Sequence, residues 1–166
     1  LFRRVFFLPG VDLKRAKEHQ LERVITIFPW IAISDQFQHW MYEHPAHTHE
    51  ERTATWNEIL KEFQDDVIDY SGLETYRSNS WQRQLHLFEV PFYYIEYGMA
   101  QLGAIAIWRN YKKSPEKAVK QYTAALKLGY TKSIGEIYAE AGIKFDFSES
   151  YVRELADFVS LELKKI

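Results

Sequence analysis

The chain has 166 residues, with 21 lysines and arginines against 23 aspartates and glutamates, six histidines and no cysteine. This length is enough for one domain with a sizeable core, and the formal charge of -2 excludes the basic excess with which proteins bind nucleic acid or anionic lipid. The absence of cysteine excludes disulfides and thiolate zinc sites and favours a reducing, cytoplasmic compartment. The apolar windows are too short and too interrupted for a transmembrane helix, so no membrane partner is expected.

The N-terminal third is predicted to contain one long helix. Leu1–Phe7 is a short apolar segment that ends at the turn signal Pro9-Gly10. We interpret it as the end of a secondary-structure element whose beginning is missing from the sequence. Asp12 is expected to cap a helix over Leu13–Tyr42, because apolar residues recur there at spacings of three and four. Pro29 removes one backbone donor within this helix and is expected to kink it.

A break and two further helices are predicted next. Pro45 ends the long helix, and Thr48 with Glu51 three residues later is the pattern of a capping box. The helix that this box begins is expected to end near Phe63. After a polar connection, another helix is predicted over Leu73–Leu85.

The rest of the chain is also predicted to be helical. A helix is expected from Phe88 to Tyr111, with Pro91 fixing its entry. Three helices follow, the first begun by Pro115 and closed by Gly129, the second over Ser133–Ala141, and the third capped by Ser148. Since no segment shows sustained alternation, we predict an all-α fold of about seven helices in a single domain, residues 1–166.

The segment "HPAHTHEE" is the first candidate site, because it places three imidazoles close together: His44, His47 and His49. Zinc accepts imidazole and carboxylate ligands, and Glu50 follows directly. The zinc-peptidase helix pattern H-E-x-x-H, however, requires a second histidine where Thr53 stands. The segment is therefore either a solvated turn between helices or a metal site of its own.

The segment "HLFEVPFYYIEYGMAQLG" is the second candidate. At helical spacing, Tyr93, Tyr97 and Gln101 share one side of the helix, and Tyr94 lies one turn before Tyr97. His86 precedes this side and is expected to be held over it. Phenols and an imidazole N–H are donors for the negative oxygen of a tetrahedral intermediate, each able to contribute about 3 to 4 kcal/mol. The alternative is a core helix whose tyrosine hydroxyls simply find partners.

The stretches "WQRQLHLFEVPFYYIEYGMAQLGA" and "ERVITIFPWIAISDQFQHWMYEHPAHTHEER" resemble the C-terminal part of oligoendopeptidase F-like zinc metallopeptidases, in the wider thimet oligopeptidase family. The likeness extends through nearly all of the chain. It implies an almost entirely helical fold around a deep channel that admits only short peptides. It also implies a zinc ion, held by an H-E-x-x-H helix and a later glutamate, whose bound water attacks the scissile carbonyl.

The resemblance also implies roles for individual residues. His86 corresponds to the histidine that hydrogen-bonds the substrate backbone or the intermediate, and Tyr94 and Tyr97 to the tyrosines that stabilise the oxyanion and position the peptide. The loop before Tyr93 varies in length in the family, so either Tyr93 or Tyr94 is the equivalent donor. We also expect Tyr93 and Gln101 to bind substrate.

No H-E-x-x-H occurs in the sequence, so no metal ligand is assigned and no zinc is expected on this segment. Because the zinc helix of the family precedes the matching region, and the chain begins with Leu1, we expect a C-terminal portion of a longer enzyme, inactive alone. Its exposed apolar surface would then favour self-association. The alternative function is a free-standing helical module that binds peptides without cleaving them.

Overall fold

The computed structural model describes residues 10–63 and 67–166. Within these ranges there are eight α-helices, one 3-10 helix and no strand, so the predicted all-α fold is confirmed. The elements are α1 (Gly10–Glu43), α2 (His49–Phe63), α3 (Glu74–Ser78), the 3-10 helix (Ser80–Arg83), α4 (His86–Glu89), α5 (Ile95–Lys113), α6 (Pro115–Leu128), α7 (Ile134–Glu140) and α8 (Glu149–Leu163). The predicted apolar segment Leu1–Phe7 lies outside the described residues.

The start of α1 differs from the prediction, whereas the start of α2 agrees with it. Helix α1 begins at Gly10, so Asp12 lies in its first turn rather than at its cap, and the helix continues through Pro29. At α2 the capping box is confirmed. The Thr48 amide donates to a Glu51 carboxylate oxygen at 2.7 Å, and the Glu51 amide donates to the Thr48 hydroxyl at 3.1 Å.

The prediction of one helix over Leu73–Leu85 is wrong. Short polar side chains in this segment compete for the backbone hydrogen-bonding groups. The chain forms α3 and then the separate 3-10 helix. The Asn79 side-chain amide donates to the Thr75 carbonyl at 2.9 Å, and the Ser80 hydroxyl donates to the Arg77 carbonyl at 2.7 Å. The Ser80 hydroxyl thus occupies the carbonyl that the Trp81 amide would bond if the helix continued.

The helix predicted from Phe88 to Tyr111 is also interrupted. Helix α4 ends at Glu89, and Val90 is extended, with φ of -138° and ψ of 96°. The residue before a proline avoids helical conformation, so Pro91 forces this break. Helix α5 begins only at Ile95, and Pro91 therefore lies in the connecting turn instead of at the helix entry.

The signals predicted for the three later helices are confirmed. Pro115 is the first residue of α6, and Gly129 follows it with φ of +54°, which suits glycine. Ser133 forms a capping box with Glu136 at α7, and the Ser148 hydroxyl accepts from the Tyr151 amide at α8. Among the described helices, none is both long and apolar enough to cross a bilayer.

The chain divides into two compact units, which we describe separately. The middle unit comprises Ile25–Gly98, and the terminal unit comprises Leu1–Val24 with Met99–Ile166. The core of the middle unit is aromatic: Ile33, Phe37, Trp56, Ile59, Leu60, Trp81 and Leu87 are buried together, with Trp30, Trp40 and Met41 packed against them. Because Leu87 belongs to α4, this core holds the short helix that begins at His86.

In the terminal unit, α5 packs against α8 and α7. Trp108 meets the edge of Phe158 with ring centroids 4.8 Å apart, and Arg109 pairs with Glu154 at 2.7 Å. The Tyr138 hydroxyl donates to the Met99 carbonyl at 3.3 Å. A Cβ at Gly103 would lie 2.9 Å from that hydroxyl oxygen, so glycine is required for this close approach.

Candidate functional site

The middle unit brings four predicted site residues together: His86, Tyr93, Tyr94 and Tyr97, which we call the His–Tyr cluster. His86 is the first residue of α4, Tyr93 and Tyr94 lie just before α5, and Tyr97 is in its first turn. The ring centroid of His86 lies 4.9 Å from that of Tyr94, 5.6 Å from that of Tyr97 and 6.0 Å from that of Tyr93. The His86 Nε2 atom lies 3.3 Å from the Tyr97 hydroxyl oxygen.

The cluster is accessible from solvent. Tyr93 is 41% exposed and Tyr97 is 44% exposed, whereas His86 and Tyr94 are half-buried. This exposure favours the interpretation as a site over the alternative of a core helix whose tyrosine hydroxyls simply find partners. A bound molecule can reach the phenol groups of Tyr93 and Tyr97 directly.

The tyrosine rings support one another at their edges. Tyr97 meets Tyr93 and Tyr94 in T-shaped contacts, with centroids 5.6 and 5.2 Å apart. The neighbouring Tyr97 phenol raises the pKa of Tyr93, through its charge when ionised and through a hydrogen bond, with Glu96 adding to the effect. Tyr93 thus keeps its proton over the physiological range and can act as a hydrogen-bond donor.

A buried glutamine, Gln38 of α1, fixes the loop that joins the two parts of the cluster. Its side chain is 1% exposed. The Phe92 amide donates to the Gln38 carbonyl oxygen at 2.8 Å, and the Gln38 amide nitrogen donates to the Leu87 carbonyl at 3.4 Å. One side chain therefore ties α4 to the turn before α5. Since a buried amide is costly to leave unpaired, both bonds hold this geometry.

Phe92 occupies an unusual backbone conformation. Its φ of +54° makes it the only described residue other than glycine with a positive value. The ring packs against His39 and Tyr42, with centroids 4.6 and 5.0 Å away. The bond to Gln38 and these ring contacts together offset the strain, and the resulting sharp turn directs Tyr93 and Tyr94 toward His86.

Gln101 belongs to the terminal unit and lies on a cavity there. The cavity has a volume of about 600 Å³, and its largely apolar lining includes Leu21, Ile105 and Trp108. At its edge, burial would raise the pKa of Glu162, but hydrogen bonds from Lys112 and Lys165 outweigh burial and lower it. The predicted role of Gln101 in substrate binding remains a prediction.

The three histidines before α2 do not converge on one point. His44 Nδ1 bonds the Trp40 carbonyl at 2.9 Å, and His47 Nδ1 bonds the His44 carbonyl while its Nε2 accepts from Arg52 at 2.7 Å. The His49 ring packs against Trp81. Across residues 10–63 and 67–166, no three His, Cys, Asp or Glu side chains are arranged to hold a metal ion. The structure therefore favours a polar turn between helices over a metal site in this segment.

Comparison with known proteins identifies the family. Peptidase family M3 matches residues 11–157. The chain belongs to this family. Two solved structures resemble this M3 chain over 93% of its length: one described as an oligoendopeptidase F, at 30% identity and a TM-score of 0.81, and PZ peptidase A with an inhibitor, at 28% and 0.80. No curated protein matches.

The M3 chain is much shorter than these two structures. It spans 27% of the first and 28% of the second. The predicted resemblance to oligoendopeptidase F-like enzymes is confirmed, and the all-helical fold it implied is observed. The resemblance also implied a zinc ion. The described residues contain no group of side chains arranged to bind one, so no zinc site is assigned to them.

Sequence reasoning missed three residues that support the His–Tyr cluster: Trp30, Gln38 and Gln84. Gln38 left a readable signal, because its long amide side chain falls on the buried, largely apolar stripe of α1. A polar residue on a buried stripe needs a partner and therefore indicates one. Trp30 and Gln84 left no such signal, because neither is a polar residue on a buried helix stripe.

Proposed function

We propose that this chain is the substrate-binding and transition-state-stabilising part of a zinc oligoendopeptidase that hydrolyses short peptides in the cytoplasm. The single observation that carries the proposal is the His–Tyr cluster. In it an imidazole nitrogen and a phenol hydroxyl lie 3.3 Å apart, and Tyr93 and Tyr97 are exposed. Membership of peptidase family M3 and the likeness to an oligoendopeptidase F support the same activity.

In this proposal the cluster binds the peptide carbonyl that is attacked. Tyr97 and His86 lie close enough to donate to the same oxygen, whose negative charge grows as the carbonyl becomes tetrahedral. Donors fixed in advance favour the transition state over the bound substrate, so they raise kcat. The exposed Tyr93 phenol, which stays protonated, positions the peptide backbone beside them.

The metal and the water it activates belong, in this proposal, to a part of the enzyme outside this chain. The reason is that the described residues offer no group of metal ligands. The chain's own contribution is therefore binding, orientation and charge stabilisation. We expect the isolated chain to hydrolyse no peptide.

The proposal is tested with the complete gene product, which contains these residues, on short internally quenched fluorogenic peptides. We expect cleavage that stops with a chelator and returns on addition of zinc, because the nucleophile depends on the metal. The isolated chain serves as the control and is expected to be silent. Cleavage that persists after complete chelation, or none in the zinc-loaded protein, would contradict the proposal.

A further inference from the structure

Behind His86 lies a short series of hydrogen bonds within the middle unit. The Trp30 indole Nε1 donates to the Gln84 side-chain oxygen at 3.0 Å. The Gln84 side-chain nitrogen lies 2.8 Å from His86 Nδ1. On its other side, the His86 Nε2 atom faces the Tyr97 hydroxyl. The Trp30 indole, the Gln84 side chain and His86 Nδ1 are partly buried in these contacts, so water competes weakly for their hydrogen bonds.

The chemistry of these groups fixes the position of each hydrogen atom. An indole N–H can only donate, so the Gln84 atom that faces Trp30 must be the carbonyl oxygen. The amide nitrogen then faces His86, and it too can only donate. His86 Nδ1 must therefore accept, which places the single proton of a neutral imidazole on Nε2.

We propose that Trp30 and Gln84 are positioning residues that lock His86 in its Nε2–H tautomer. In that form the nitrogen beside Tyr97 is a donor, as a group that stabilises an oxyanion needs to be. In the other tautomer Nε2 would be an acceptor and would repel a negative oxygen. The functional use of the tautomer rests on the proposed function, but the tautomer itself does not.

Packing keeps this arrangement rigid. The Trp30 ring meets the buried Trp56 edge-on at 5.7 Å, and the Arg83 guanidinium lies 5.2 Å from the Trp30 ring centroid. The 3-10 helix ends at Arg83, so Gln84 follows at a fixed point directly before α4. The indole donor and the amide are thus both held by the secondary structure and core that surround them.

The proposal is tested by ¹⁵N NMR of the histidine side chains in the 166-residue chain, recorded at about pH 8.5, two units above the ordinary imidazole pKa. The His86 signals are assigned by their loss in a His86→Gln variant. We expect the bound proton on Nε2 and a pyridine-type signal at Nδ1. A proton on Nδ1 in the unmodified chain would overturn the proposal.

The Gln84→Glu variant tests the cause of the preference. A carboxylate accepts from both neighbours, so it still satisfies Trp30 but now requires a proton on His86 Nδ1. We expect Nδ1 to change from pyridine-type to protonated. The control Gln82→Glu lies on the 3-10 helix just before Gln84 and is bonded to Asn79 instead, so it is expected to leave His86 unchanged. An unprotonated Nδ1 in Gln84→Glu would overturn the proposal. Because this readout needs no peptide cleavage, failure of the proposed function would not be mistaken for failure of the tautomer.

In the complete enzyme, Gln84→Glu carries a kinetic consequence that a merely structural role would not produce. We expect kcat to fall by about 10²-fold with KM little changed, because an interaction made mainly in the transition state is lost. A fall in kcat with no change in the His86 tautomer would assign Gln84 a different role.

Discussion

Replacing Tyr97 by phenylalanine in the complete enzyme is expected to lower kcat by about 10²-fold or more, with little effect on stability. The substitution removes one hydroxyl and leaves the ring, so the T-shaped contacts with Tyr93 and Tyr94 remain. Since Tyr97 is 44% exposed, its hydroxyl is lost without leaving a buried cavity. Steady-state kinetics on a fluorogenic peptide and thermal unfolding together measure both effects.

Tyr122→Phe is a closely matched control. Tyr122 lies on α6 in the terminal unit and has the same exposed fraction, 44%, but it lies outside the His–Tyr cluster. We expect its kcat to equal that of the unmodified enzyme. If Tyr97→Phe behaves like this control, Tyr97 does not stabilise the transition state.

Replacing Trp56 by alanine is expected to destabilise the protein by about 3–5 kcal/mol. Trp56 is fully buried at the centre of the middle unit, where it meets Phe37 and Trp30 edge-on at 5.0 and 5.7 Å. Its indole also donates to the partly buried Ser80 hydroxyl at 3.0 Å, so the substitution removes this hydrogen bond together with a large buried ring.

The stability effect is measured by urea unfolding of the variant and of two comparisons. Trp56→Phe keeps an aromatic ring but loses the hydrogen bond, so an intermediate loss is expected. Tyr130→Ala changes a fully exposed side chain and is expected to stay within about 0.5 kcal/mol of the parent. A Trp56→Ala variant as stable as Tyr130→Ala would show that this core does not hold the unit together.

Helix ends were predictable where the signal is local. Thr48 with Glu51 and Ser133 with Glu136 each form a capping box between residues three positions apart. The failures lie where two local signals compete. After Asn79 the Ser80 hydroxyl occupies the Arg77 carbonyl, and at Pro91 the preceding residue is forced out of the helix.

The cluster itself was predictable only in part. The spacing of Tyr93, Tyr94 and Tyr97 places their rings near one another, and the resemblance to a peptidase family pointed to His86. What orders these side chains is tertiary. The position of Gln38 on a buried stripe indicates that it needs partners, but its bonds to Phe92 and Leu87 join residues 54 and 49 positions apart, and no sequence pattern shows which residues these are.

The most direct test of transition-state stabilisation by Tyr97 and His86 is the inhibition constant of a phosphinic peptide, whose charged tetrahedral oxygens imitate the intermediate. It is measured on the complete enzyme and on Tyr97→Phe. If the hydroxyl donates to that oxygen, the variant's inhibition constant rises by the same factor, about 10²-fold, by which kcat/KM falls. An unchanged inhibition constant beside a lowered kcat/KM would contradict the account.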